Sequence, residues 1–158
     1  MSLKDESEPI TDDEWLVRRV PANRFRTHKV PYVSPGAFEP RVKGEAPDEE
    51  GISLYRLACL GSIQPILDFI GDPRKQLLTG FVRMRVSEIR GLGLSIVADR
   101  DNDLVGHVVI PELSAEAWRD TEHRRPACRQ YMMELAELAS RPDAILYGPD
   151  QPKEDQSC

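Results

Sequence analysis

The chain has 158 residues, 40% of them hydrophobic and 30% charged, which describes a globular domain and excludes a disordered or fibrous chain. Its net charge of −6 repels phosphate backbones at long range, so nucleic acid is not an expected partner. The longest apolar run is too short to span a bilayer, so no membrane partner is expected either.

Residues 1–13 carry Asp5, Glu6, Glu8, Asp12 and Asp13 with little apolar content, and a disordered acidic tail is expected there. A single domain is expected over 14–148. Trp15–Val20 reads as a strand stopped by Pro21, with Trp15, Val17 and Arg19 on one face and Leu16, Arg18 and Val20 on the other. Residues 21–51 are punctuated by five prolines. So long a loop is uncommon, and extended pieces are expected at Lys29–Val33 and Ala37–Val42. Ile52–Ala58 alternates as a strand. Ser62 then caps a helix over 62–71, with Ile63, Ile66, Leu67 and Ile70 at helical spacing and Gly71 at its end.

Phe81–Val86 alternates apolar and basic residues, the pattern of a strand with one face in water. At a sheet edge such a strand would offer a dimer contact. Ser87 is placed to cap one helical turn through Arg90. Leu94–Ala98 and His107–Ile110 read as strands of an antiparallel hairpin. Helical pattern fills 114–140: Ser114 is a cap, Pro126 breaks the run or opens its second half, and Cys128, Tyr131, Met132, Leu135, Leu138 and Ala139 form an apolar stripe. Ala144–Tyr147 reads as a short edge strand, and 149–158 as a polar tail. Strands fill the first two-thirds and helices the last third. The expected class is therefore α+β, with a mostly antiparallel sheet and helices at 62–71 and 114–140.

No segment carries a full catalytic or metal-binding signature. Asp99, Asp101 and Asp103 start like a calcium loop, but Leu104 and Ile110 stand where Gly and Glu are needed. Gly91-Leu92-Gly93 lacks the third glycine of a dinucleotide fingerprint, since position 96 is Ile96. His28, His107 and His123 form no metal face, so no metal is expected. The cysteines, Cys59, Cys128 and Cys158, are odd in number and widely spaced, which argues against disulfides and for cytoplasmic residence. Arg18, Arg19, Arg24, Arg26, Lys29, Arg41 and Lys43 make 18–43 locally basic, with Tyr32 and Phe38 interleaved. Such runs either solvate a loop or bind phosphates.

The segments Leu16–Pro21, Gly36–Pro40, Ile52–Arg56 and Gly106–Ile110 together resemble a group of small bacterial proteins of unassigned function. The chain is also distantly similar to the ADP-ribosyltransferase-like fold, including the RES-type NAD-consuming toxins. That resemblance implies Arg18 or Arg19 on the cofactor phosphates, Ser53 at the nicotinamide ribose and Tyr55 as a stacking aromatic. It implies Glu112, with His107 nearby, at the reacting carbon.

Two functions follow as expectations. The first is a binding or accessory module that uses no cofactor and engages a protein partner or a second copy of itself. The alternative is an NAD-using ADP-ribosyltransferase-like transferase or NAD hydrolase.

Overall fold

The computed structural model describes residues 2–147; the polar tail expected over 149–158 and Cys158 lie outside the described residues. The alternation at Trp15–Val20 becomes the strand β1, Trp15–Pro21. Its two faces divide as the sequence predicts, because side chains alternate along a strand. β1 lies between β2, Ile52–Arg56, and β3, Thr79–Arg85, antiparallel to both. β5, His107–Ile110, flanks β2, and β4, Val97–Ala98, pairs with β5 at one edge. β6, Ile145–Tyr147, pairs with β3 at the other edge. The sheet runs β4-β5-β2-β1-β3-β6, antiparallel throughout, and with its helices makes an α+β fold.

The helices are α1, Leu57–Leu60; α2, Gln64–Ile70; α3, Pro73–Leu77; α4, Val86–Gly91; α5, Ala115–Arg119; and α6, Arg125–Ala139. The larger core lies on the sheet face carrying Leu16, Val20, Leu54, Met84 and Ile110. The stripe Cys128, Met132, Leu135 and Ala139 of α6 belongs to it, as do Ala37 and Phe38. The smaller core lies on the opposite face, where Val17, Tyr55 and Phe81 meet Leu60, Ile66 and Leu67.

Several elements differ from the sequence reading for identifiable reasons. The helix expected over 62–71 begins two residues later: Ser62 Oγ accepts the Gln64 N–H at 3.2 Å, but the helical turns begin at Gln64. Gly71 ends it with φ +74°. The helix expected over 114–140 is split. Ser114 caps α5 by accepting the Ala117 N–H at 3.1 Å, and then Asp120 leaves helical geometry and its carboxylate accepts the His123 N–H. Pro126 sits in the first turn of α6.

Only Val97 and Ala98 of 94–98 pair, because the Ser95 N–H is taken at 2.9 Å by the Glu112 carboxylate. The extended pieces expected in 21–51 reduce to one bridge, Phe25 to Val33. Pro35–Phe38 forms a tight 3-10 turn, whose Ala37 and Phe38 are buried. β3 is not an edge strand open for a dimer, since β1 and β6 flank it. Its basic face is half-exposed, with Arg83 and Arg85 lying 4.1 and 3.9 Å from the Trp15 ring.

The segment expected as a disordered acidic tail is held against the sheet by a buried arginine. Arg56 is 1% exposed and forks onto Glu14, Nε to Oε1 at 2.8 Å and Nη2 to Oε2 at 2.9 Å. Its remaining N–H groups reach the carbonyls of Glu6, Glu8 and Pro9. Composition alone hides this, because a charge buried at one position demands acceptors that only these residues supply.

Burial pushes the Glu14 carboxyl upward. The hydrogen bonds from Arg56 and the Thr11 N–H and the charges of Arg56 and Lys4 together outweigh it and hold the carboxyl below its ordinary value. A lowered carboxyl contributes stability above its unfolded value and loses it as pH falls through the folded one. Glu14→Gln is therefore expected to cost about 3 kcal/mol at neutral pH in urea unfolding. The gap from the parent should close below about pH 4; an equal gap at both pH values contradicts the assignment.

Candidate functional site

The site begins with a missing ladder. β1 pairs with β3 along its whole length, to Pro21 opposite Thr79, and β2 pairs with β5 out to Ile52 opposite Ile110. Between β1 and β2, however, only Leu16–Arg56 and Val17–Tyr55 are paired. The two central strands part after Val17 and the sheet forks.

Arg18 fills the base of the fork. Its Nη1 donates to the Ser53 carbonyl at 2.8 Å, and its Nε and Nη2 donate to the Ala37 carbonyl at 3.1 and 3.0 Å. One guanidinium thus satisfies acceptors that a neighbouring strand would otherwise have taken, and ties the 35–38 turn to β2. Burial pulls the Arg18 pKa down to about 10, with Asp48 opposing and Arg41 and Arg19 reinforcing the shift, so the group stays cationic at neutral pH.

Above Arg18 the fork opens into a cleft of about 600 Å³. Arg19 enters from β1, Ser53 and Tyr55 from β2, and Lys75, Leu78 and Thr79 from α3 and the start of β3. Arg24, Glu39, Arg41 and Asp48 close the other wall. The Arg24 guanidinium lies against Gly36 so closely that a Cβ there would come within 2.5 Å of Nη1. Asp48 is committed to Arg41, accepting its backbone N–H at 2.7 Å and lying 3.8 Å from its guanidinium.

Three cations lining the cleft, Arg19, Arg24 and Lys75, have no hydrogen-bond or ion-pair acceptor for their side chains among the described residues. Elsewhere four surface arginines pair with carboxylates, Arg90 with Asp12, Arg119 with Glu49, Arg124 with Glu116 and Asp120, and Arg141 with Glu88, while Arg74, Lys29 and Lys43 have no side-chain acceptor among the described residues. Glu39 is the carboxylate on the cleft wall that has no partner among the described residues.

Of the residues singled out in the sequence, Arg18, Arg19, Ser53 and Tyr55 come together here. His107 stands beside Tyr55, ring centroids 5.2 Å apart, but does not line the cleft. Its Nδ1 lies 3.0 Å from Asp99 Oδ2, and its Nε2 is buried without a hydrogen-bond partner. Burial lowers the imidazole pKa, and the nearby carboxylates of Asp99, Asp48 and Glu50 oppose it without overturning it. His107 is thus neutral at pH 7, with the Nδ1 proton donated to Asp99. Burial also raises the Tyr55 phenol, with Arg19 and Arg18 opposing, so it is a neutral hydroxyl.

Glu112 lies elsewhere. Its carboxylate takes the Ser95 N–H and, at 2.7 Å, the Ser95 hydroxyl, beside a separate hollow of about 190 Å³ lined by Arg124 and Tyr131.

Arg24 and Arg41 were signalled by the basic run 18–43. Lys75 and Glu39 carried no signal, because only the fold brings α3 and the residue after the 35–38 turn to one wall.

No protein-family model matches the chain, and neither the curated proteins nor the solved structures give a match. Among the described residues no group of three or more His, Cys, Asp or Glu is placed to hold a metal ion. None of their helices is long and apolar enough to cross a membrane.

Arg18→Met should cost about 2 kcal/mol in urea unfolding, since it leaves the Ser53 and Ala37 carbonyls without donors. Arg18→Lys should recover less than half of that, because an ammonium cannot reproduce the planar fork. Full recovery would mean that charge alone holds the strands apart. For His107, NMR titration should place the imidazole below its ordinary value of about 6.5. Asp99→Asn should move it lower still; an upward move contradicts the Nδ1–Asp99 contact.

Proposed function

We propose that this chain binds a small phosphate-bearing ligand, of nucleotide or dinucleotide size, in the fork between β1 and β2. The observation that carries the reading is that Arg19, Arg24 and Lys75, unpaired among the described residues, all line one cleft of an acidic protein. A phosphate bound there would accept charge-assisted hydrogen bonds from these cations. A cleft of about 600 Å³ is in the range that small ligands and cofactors occupy. Concavity favours this ligand over the protein partner of an accessory module, whose surfaces are flatter and larger.

NAD is a member of the ligand class, and the resemblance to the ADP-ribosyltransferase-like fold supplies it as the first compound to try. Ser53 and Tyr55 offer hydroxyls for ribose. If NAD is consumed here, the carboxylate placed to meet the positive charge that develops as nicotinamide leaves is Glu39, since Glu112 is engaged with Ser95 outside the cleft.

Calorimetry with ADP and with NAD tests the binding, and nicotinamide release tests turnover. Binding should raise the melting temperature, weaken with salt, and fall at least about tenfold in the combined Arg19→Ala and Lys75→Ala variant. Equal affinity in parent and variant, or no heat with either compound, overturns the reading. Nicotinamide release lost in Glu39→Gln and retained in Glu112→Gln supports the second step; the reverse pattern removes it.

A further inference from the structure

The surface around the cleft is not wholly polar. Leu78 lines the cleft and is 64% exposed, and Leu77 beside it at the end of α3 is 65% exposed. From the opposite wall a hairpin rises: Phe25 bridges Val33, the Arg26 N–H bonds the Tyr32 carbonyl, and the Ser34 N–H bonds the Arg24 carbonyl. From Pro21 to Phe38 the chain holds no Asp or Glu, but it holds Arg24, Arg26, His28 and Lys29. Val30, near the hairpin tip, is 99% exposed. The Ala22 N–H bonds the Leu78 carbonyl at 2.8 Å, so hairpin and α3 are joined at the cleft. Leu77 and Leu78, exposed and close in sequence to the unpaired Lys75, suit an amphiphile, whose phosphate seeks the cations while its hydrocarbon accepts the leucines.

We propose that this face docks on an anionic lipid surface, with a headgroup phosphate entering the cleft between Arg19, Arg24 and Lys75 while Leu77, Leu78 and Val30 enter the headgroup boundary. The proposal rests on the phosphate-binding reading and adds the source of the phosphate. A single-stranded nucleic acid would need free aromatic faces on which bases stack. Here Phe25 and Tyr32 lie against each other at 5.7 Å and pack on the core, and Trp15 is covered by Arg83 and Arg85. The exposed hydrophobic group that lines the cleft, Leu78, is aliphatic, whereas the exposed aromatic Phe69 stands on α2 and does not line it; aliphatic groups gain by leaving water for lipid.

The test is co-sedimentation of the full chain with vesicles of phosphatidylcholine alone and of phosphatidylcholine mixed equally with phosphatidylglycerol, alongside calorimetry with ADP. The chain should bind the mixed vesicles and not the neutral ones, with binding lost at high salt. The combined Val30→Ser and Leu77→Ser variant should cut vesicle binding at least about tenfold. It should leave ADP affinity and melting temperature unchanged, because both residues are exposed and neither lines the cleft. ADP binding without vesicle binding overturns this proposal and leaves the phosphate-binding reading standing. Tighter binding to a single-stranded RNA than to the vesicles also overturns it. If neither ADP nor vesicles bind, both readings fall together.

Discussion

Two arginines on the same face of the sheet set the separation of β1 from β2, and the cleft depends on that separation. Arg56, opposite Leu16, marks the closed end of the fork, where its bidentate contact with Glu14 locks the register. Arg18, two residues beyond Leu16, marks the open end, where it spans from β2 to the 35–38 turn. A hydrophobic residue at either place would pack well enough, but it would leave carbonyls bare, and a buried unpaired carbonyl costs more than a modest loss of packing. The polar requirement thus fixes where the strands part, which apolar packing alone does not do.

The same geometry explains how an acidic protein keeps a basic cleft. β1 is seven residues long, about 20 Å at the usual strand rise. The acidic N-terminal segment gathers at its first residue: Glu14 and three carbonyls on Arg56, the Asp13 carbonyl on Arg85, and Asp12 on Arg90. The cleft lies at the last residues of the strand, beyond the reach of those partners at physiological ionic strength, where screening takes effect over about 8 Å. Charge is therefore sorted along one strand, neutralised at one end and left open at the other. Net charge, a single number for the chain, cannot reveal that separation.

The α+β class was legible because it rests on local patterns. Alternation at Trp15–Val20, Phe81–Val86 and His107–Ile110, and the stripe from Cys128 to Ala139, each reflect a buried face that any one strand or helix must show. Four residues of the cleft were legible as well, since Arg18, Arg19, Ser53 and Tyr55 stand on two such strands. Lys75 was not, because α3 holds only five residues and has no apolar face to read. The N-terminal segment was misread for a related reason. Its ordering comes from Arg56, more than forty residues away in sequence, through bonds to backbone carbonyls that carry no side-chain signature. The resemblance implied Glu112 at the reacting carbon, but Ser95 holds it outside the cleft with two hydrogen bonds.

The unpaired state of the cleft cations bears directly on what the fork is for. Arg18 is pulled down to about 10 first by burial, with Arg41 and Arg19 reinforcing the shift, while Asp48 and Tyr55 pull the other way. Arg19 is lowered too, by burial and by Arg41. Arg124, by contrast, is relieved by Glu116 and Asp120. The cleft instead commits Asp48 to Arg41 and leaves Arg19, Arg24 and Lys75 unpaired among the described residues. On the phosphate-binding proposal, an anion in the cleft would supply the acceptors these cations lack, and binding to the folded state alone would add to its stability.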